Sequence, residues 1–587
     1  MAVPRVMPPG SGGEVSLPQP LAPSDAARIR RIFSLQAHGA INAAEHETAQ
    51  LDTDTPLGRV MLGYILADRY LGRFTKPGQD ELRSWLARWP DLPDASNLHN
   101  LLMSRLPAPQ RRFAVAPPTA VSLPEQTPVP EEIGDAERAL VRNSDLDRSV
   151  AEAARHRGVA GVTRLLAHTR GLMPGYRSQL AGEAAQILFT MGRDEDAYEV
   201  ATTGVRACAQ ATPVCKTAAL AGFSGGLAAW RMGRPELARP MFEAGWRAEL
   251  TTPSLRAATA LWAARAHLRT GDFADHGVWL ARAAAQRDTF YGLLARRMLG
   301  LAASRRDQSN GRETLGLADV EAVSALPTGL QAFALLQVGE RARAEAALRR
   351  LWPDMQAEPA LIRAVMLIAD RAEMFELAAQ LADLQQVADG LPRGATHFRI
   401  PHLRPDGGFQ VDPAIVLAVA RTESNFGSDE FSAAGALGMM QIMPDTASFI
   451  TAGSGNGQGR GPSEARIREM LADPPTNLAL GQRYIAYLAG HEIVNGNLMR
   501  LLASYNCGPG KFAQWVQGLH DAGDPLLFIE AIPIDETRAF VPRVLTYTWI
   551  YAARLHMPSP SLDELAVGAW PRYHPLAKHL DASALLH

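Results

Sequence analysis

The sequence predicts an all-α protein, a superhelical array of helix pairs followed by a helical domain near the C-terminus, and three observations carry that expectation. Alanine-rich stretches repeat apolar residues at three- and four-residue spacing along most of the chain. Four segments, AAQILFTMGRDEDAYEVATTG, GLAAWRMGRPELARPMFEAG, WAARAHLRTGDFADHGVWLARAA and FALLQVGERARAEAALRRL, align on a glycine-centred turn at Gly192, Gly233, Gly271 and Gly339. Asp412 before Pro413 opens a further helix, because an aspartate accepts the first free amide hydrogens and proline suits the first helical position.

Size and composition narrow the functional classes. A chain of 587 residues exceeds one core and implies about two to four domains. With 47% hydrophobic and 20% charged residues it is globular. Its 59 basic and 61 acidic residues leave a net charge of -2, and no basic run grips a phosphate backbone, so nucleic acid is not expected as a partner. No uncharged apolar run approaches the ~20 residues that cross a bilayer, so no transmembrane segment is expected. Three cysteines are too few for a disulfide framework. Cys208 and Cys215 are close enough to bridge, but two isolated buried thiols are the favoured reading. Cys507 reads as a packing residue.

Taken in order, residues 1–23 are rich in Pro, Gly and Ser, read as disordered, and lack the basic start and apolar centre of a secretion signal. Residues 24–106 form an N-terminal helical segment of the superhelix, with Ser24 and Asp25 as its first cap. Prolines cluster in 107–134, a linker. Residues 135–395 hold the repeats. The glycine turns lie 41, 38 and 68 residues apart, the last close to two units of about 34, which is the spacing of tetratricopeptide-like helix pairs. Such pairs stack because none buries its apolar face alone. Gly222-Phe223-Ser224-Gly225-Gly226 fits a hydrolase nucleophile pattern but falls inside a repeat, with no strand before it to form the strained elbow. Residues 561–587 form a tail.

The stretch 412–445 organises the chemistry. Ile415, Val416, Val419 and Ala420 recur at helical spacing, and Gly427 after Phe426 offers the left-handed residue that ends helices, so the helix is expected over about Pro413 to Phe426. One further turn of the buried stripe lands on Glu423. Burial and the negative end of the helix dipole both disfavour its charged form, so it is expected to keep its proton to higher pH and to serve as a general acid. The local acids Asp429 and Glu430 sit on a loop that reads as exposed, and neither makes a convincing second catalytic carboxylate.

Glu423-Ser424, then Ser432, then Gly438-Met439-Met440-Gln441-Ile442-Met443-Pro444 resemble the signature of the soluble lytic transglycosylase family. Three more strings follow in family order. They are Asp473-Pro474 with Asn477, Gly481, Tyr484 and Leu488; Ala503-Ser504-Tyr505-Asn506-Cys507-Gly508-Pro509-Gly510; and Ile532-Pro533-Ile534-Asp535-Glu536-Thr537-Arg538. The string Phe290-Tyr291-Gly292-Leu293-Leu294-Ala295 is similar to the repeat domain of the same enzymes. The resemblance implies a lysozyme-like catalytic domain over 396–560 and a superhelix that closes into a U or ring. It implies periplasmic cell-wall turnover, with peptidoglycan glycan strands as substrate, cell-wall enzymes as prospective partners and no cofactor or metal. His491-Glu492 looks like half a zinc motif, but Asn495 stands where its second histidine would be.

The resemblance also assigns roles. Glu423 is the lone catalytic acid and base. It protonates the bond between N-acetylmuramic acid and N-acetylglucosamine, then takes the proton of the muramoyl C6 hydroxyl, which closes a 1,6-anhydro ring. Gln441, Met443, Ser432 and Tyr505 are expected at the substrate, although for Ser432 an ordinary cap is an equal reading and for Met440 and Met443 floor packing is favoured. Tyr505 is expected to offer its hydroxyl to Glu423 or to the sugar. Asn506 is expected to fix the Gly508-Pro509-Gly510 turn, and Glu536 to pair with Arg538 or Arg543, structural first and catalytic second. A muramidase that adds water on the same fold, and a catalytically dead helical-repeat scaffold, are the alternatives.

Overall fold

The protein's structure, a computed structural model, describes residues 15–107, 122–123, 140–211, 217–301, 315–389, 398, 400–401, 403–427, 432, 434–452 and 462–576. Among them the regular elements are all helices, joined by two isolated β-bridges. No helix of the described residues is long and apolar enough to cross a membrane. The chain divides into two compact units, 1–127 with 309–399, and 128–308 with 400–587. The repeat block anticipated over 135–395 therefore contributes to both, and its first part shares a unit with the glutamate helix.

In the first unit the opening helix, Pro23–Ala37, begins one residue before the expected Ser24 cap, with Ala22 at the cap position and proline at N1. Ile29, Ile32, Tyr64, Ile65 and Trp85 pack in one core with Phe333, Val365 and Ile368. Of the first 23 residues, 1–14 lie outside the described residues, but 15–22 are not loose. Val15, Leu17 and Leu21 pack on the core, and the Leu21 backbone exchanges two 2.9 Å hydrogen bonds with the Gln337 amide. Apolar residues among the prolines supply the anchor that composition hides. Of the linker 107–134 only 107 and 122–123 are described, whereas 561–576 of the tail are described and include most of helix Pro560–Ala566.

All four glycine turns form as the sequence requires. Gly192, Gly233, Gly271 and Gly339 take φ of 77°, 73°, 78° and 90°, the left-handed conformation that closes a helix at little cost only for glycine. In the second unit, helices Pro174–Thr190, Asp194–Ala211, Ala219–Arg231, Pro235–Arg247 and Pro253–Arg269 pack in succession. The Gly222–Gly226 pattern serves that packing. A Cβ at Gly222 would stand 2.5 Å from the Gly245 amide nitrogen, and Ser224 is 1% exposed, so the serine is interior.

Helix Phe290–Met298 joins the repeats to the C-terminal helices. Phe290 stacks on Trp549 at 5.1 Å, Tyr291 donates its hydroxyl to Glu530, and Arg297 pairs with Asp563. Nearby, Arg265 reaches Asp524 at 2.6 Å. Cys208 is disulfide-bonded, which corrects the reading of isolated thiols; the other half of that bridge lies outside the described residues.

Candidate active site

Helix Pro413–Ser424 starts as its sequence dictates, with Asp412 Oδ1 accepting from the Ala414 amide at 2.8 Å. Every residue from Pro413 to Arg421 is buried. The helix lies against Asp535–Arg554, whose Val541, Val544 and Leu545 are fully enclosed. It ends earlier than expected. Asn425, not Gly427, takes the left-handed cap at φ 50°, and Phe426 follows at φ 69°. Asparagine tolerates that region, whereas a buried phenylalanine there stores roughly 1–3 kcal/mol of strain held by its surroundings.

Glu423 sits on the last turn before this strained cap, half-buried. Burial, first, and the nearby charge of Glu536, second, raise its carboxyl from 4.5 to about 8. At neutral pH the group is therefore mostly protonated, by about ten to one. Among the described residues Glu536 is the carboxylate whose charge Glu423 feels. It comes from the closing motif 532–538, far along the chain.

The Gly438–Met443 segment is a tight turn. Leu437 and Ile442 bridge it, Gln441 adopts φ 44°, and both the Gln441 amide and its Nε2 donate to the Gly438 carbonyl at 2.9 Å. Two hydroxyls hold its consecutive carbonyls. Ser424 Oγ donates to Met439 at 2.8 Å and Tyr505 to Met440 at 2.8 Å. Tyr505 is thus committed to the turn and not to Glu423, although the charge of Glu423 is the second cause, after burial, that holds its phenol above the usual range.

Asn477 anchors the turn from beneath. Its Oδ1 accepts from the Met440 amide at 2.9 Å while Nδ2 donates to Leu437 at 3.1 Å and to Leu471 at 2.8 Å. Gly438, at φ 74°, has no room for a side chain, since a Cβ would lie 2.3 Å from the Leu471 carbonyl and 2.4 Å from Asn477. The sequence marks Asn477 only as part of a string; its weight appears once helix Pro474–Gly490 is placed under the turn.

The remaining expected residues divide. Met440 is fully buried packing, whereas Met443 is 39% exposed and not floor. Ser432 Oγ accepts from the Ala436 amide at 2.8 Å, a local turn. Asn506 does not brace the Gly508-Pro509-Gly510 turn through its side chain. It accepts from Thr537 at 2.6 Å and donates to Glu536 at 3.1 Å, fastening the closing motif. Glu536 is exposed, and Arg538 turns instead to Asp535, the first residue of its own helix, and, at 2.7 Å, to the Ile532 carbonyl just before that helix. Burial, first, pushes the Cys507 thiol up, away from nucleophilic use. Asp429, Glu430 and most of the loop 453–462 lie outside the described residues.

Residues 405–526 match the family described as Transglycosylase SLT domain. The chain is 33% identical over 144 residues to the soluble lytic murein transglycosylase of Salmonella typhimurium, which covers 24% of this chain and 21% of that protein. It is 33% identical over 154 residues to its Escherichia coli K12 counterpart, covering 25% and 22%. The matches thus span about a fifth of those relatives' length. The fold is similar to an inactive mutant of the lytic transglycosylase Slt from Pseudomonas aeruginosa, with TM-score 0.52 and 18% identity over 94% of this chain and 84% of that one. It is also similar to the 70 kDa soluble lytic transglycosylase of Escherichia coli, with TM-score 0.50 and 18% identity over 94% and 99%. The glutamate helix and the clamped Gly-Met-Met-Gln turn both lie inside the aligned segment, and residues 405–526 are the part of the chain that is similar to the transglycosylase SLT domain family.

Proposed function

We propose that the protein is a lytic transglycosylase acting on peptidoglycan, with Glu423 as its single acid and base. The observation that carries the reading is a half-buried glutamate whose carboxyl is raised to about 8, inside the segment that matches the SLT family. A neutral carboxyl at physiological pH donates its proton to the glycosidic oxygen as the bond between N-acetylmuramic acid and N-acetylglucosamine breaks. The glutamate, now a carboxylate, takes the proton of the muramoyl C6 hydroxyl while that oxygen bonds to the anomeric carbon. Proton and bond counts close without water, and the product is a 1,6-anhydro end.

Gln441, Met443 and Ser432 line the side of the turn available to sugar, and Tyr505 acts by holding Met440 in place. Glu536 serves by charge, helping Glu423 to retain its proton. The disulfide at Cys208 supports an extracytoplasmic site of action, here the periplasm, because such bonds persist in oxidising compartments.

Mass spectrometry of peptidoglycan digested with the full chain tests the proposal. Anhydro ends that disappear with Glu423→Gln are expected. Reducing ends would assign a muramidase instead, and intact glycan would leave a helical scaffold.

A further inference from the structure

Four aromatic rings run in contact from the catalytic turn to the surface. Tyr505, whose hydroxyl holds the Met440 carbonyl, packs against Tyr484 at 5.3 Å. Tyr484 and Tyr487 stand one turn apart on helix Pro474–Gly490, stacked at 6.3 Å with their planes 12° apart. Tyr487 then meets Phe449 of helix Pro444–Ala452 edge-on at 5.1 Å. Exposure climbs along the row, from 8% at Tyr505 to 39% at Tyr487 and 56% at Phe449. Met443, 39% exposed, lies at the start of the Phe449 helix.

The inner rings are explained by packing, but the outer pair is not. Two large rings placed side by side in water forgo the stabilisation that burial gives such groups. The faces of a pyranose ring carry C–H bonds and its rim carries hydroxyls, so a sugar covers an exposed aromatic ring while its polar groups stay in water. A lipid tail or an apolar helix would ask for a wide, wholly apolar patch; this one is narrow and continuous with the turn beside Glu423.

We propose that Tyr487 and Phe449 form an outer sugar subsite, on which a pyranose ring of the glycan strand stacks beyond the sugars held at Glu423. The inference rests on the proposed action on glycan and adds where the strand runs: along helix Pro474–Gly490, away from the cleaved bond. The subsite binds long strands and ignores short ones.

Calorimetry on the full chain carrying Glu423→Gln, titrated with the N-acetylglucosamine–N-acetylmuramic acid disaccharide and with longer oligosaccharides of the same repeat, tests it. Adding Tyr487→Ala or Phe449→Ala is expected to weaken the longer ligands roughly fivefold to tenfold, as loss of one aromatic contact predicts, and to leave the disaccharide unchanged. Tyr487→Phe, which keeps the ring, is expected to bind as its parent does. Equal affinity for long ligands in a folded Tyr487→Ala chain overturns the subsite, as does equal affinity accompanied by a changed oligomeric state, which would make the pair a contact between copies. Ring-dependent binding of this kind together with a parent chain, Glu423 intact, that never cleaves the same glycan overturns the transglycosylase reading alone; absence of glycan binding overturns both.

Discussion

Tyr505 donates to the Met440 carbonyl at 2.8 Å, immediately beside the carbonyl of Met439 that Ser424 holds at 2.8 Å. The turn is pinned from the glutamate helix on one side and from helix Leu498–Cys507 on the other. Tyr505→Phe leaves a buried carbonyl without its donor, and a loss of about 1–3 kcal/mol in denaturant unfolding is expected. Because the hydroxyl is spent on Met440, the alkaline limb of the pH–rate profile is expected to stay in place. A shifted limb would show that the phenol serves Glu423 directly.

Asn477 makes three hydrogen bonds to the same turn and to Leu471. Asn477→Asp keeps the acceptor for Met440 but removes both donors and places a charge in a fully buried site. Loss of roughly 2–4 kcal/mol is expected, with kcat falling more than KM rises, since the turn and not the sugar contact is disturbed. Thermal unfolding and steady-state kinetics on one preparation separate the two effects.

Glu423 provides a test with a definite sign. Its folded carboxyl is raised from 4.5 to about 8, so between those values the folded chain keeps a proton that the unfolded chain has released. Stability therefore falls as pH rises through that window. Glu423→Gln removes the liability, so the variant is expected to gain stability over the parent near pH 8 and to show no such gain below 4.5. The same substitution is expected to lower kcat by roughly a hundredfold to ten-thousandfold. A stabilised, inactive chain is the combination that marks an acid held at a cost.

Glu536 contributes the second cause of that raised value. Glu536→Gln keeps the shape that Asn506 needs but removes the charge, so the Glu423 carboxyl is expected to fall toward its ordinary range. The alkaline limb of activity then moves to lower pH while the acid limb and the melting temperature change little. A pH–rate profile with an unmoved alkaline limb would reduce Glu536 to a partner of Asn506.

How legible all this is in the sequence depends on the range of the interaction. The four glycine turns and the start of the Glu423 helix can be read directly, because a left-handed φ and an Asp-Pro cap are local requirements. The end of that helix cannot, because asparagine competes with glycine for the same conformation and packing decided for Asn425. The placement of Glu423 follows from the apolar stripe. The partners of Tyr505, Asn506 and Glu536 do not, since they lie between 30 and 65 residues away or depend on which of two nearby groups a hydroxyl or carboxylate meets. Residues 15–22 mislead for another reason: composition averages over a stretch, whereas three apolar side chains are enough to anchor it.

Among the contacts that attach the repeats to the C-terminal helices is Glu530, to which Tyr291 donates its hydroxyl. Burial, first, raises the Glu530 carboxyl, and the Tyr291 hydrogen bond opposes it. Tyr291 also accepts from Trp262 Nε1 at 3.2 Å, so Tyr291→Phe strips a partner from both. Without the hydroxyl the folded carboxyl moves higher still, while the unfolded one does not change. The substitution therefore costs the neutral hydrogen bonds to Glu530 and from Trp262 near pH 4, and about 1–3 kcal/mol more near pH 8, where the folded carboxyl of the parent ionises more readily than that of the variant. Denaturant unfolding at the two values is expected to show that widening gap; an equal loss at both would mean that the carboxyl stays neutral in the fold throughout and that only a neutral hydrogen bond joins these helices.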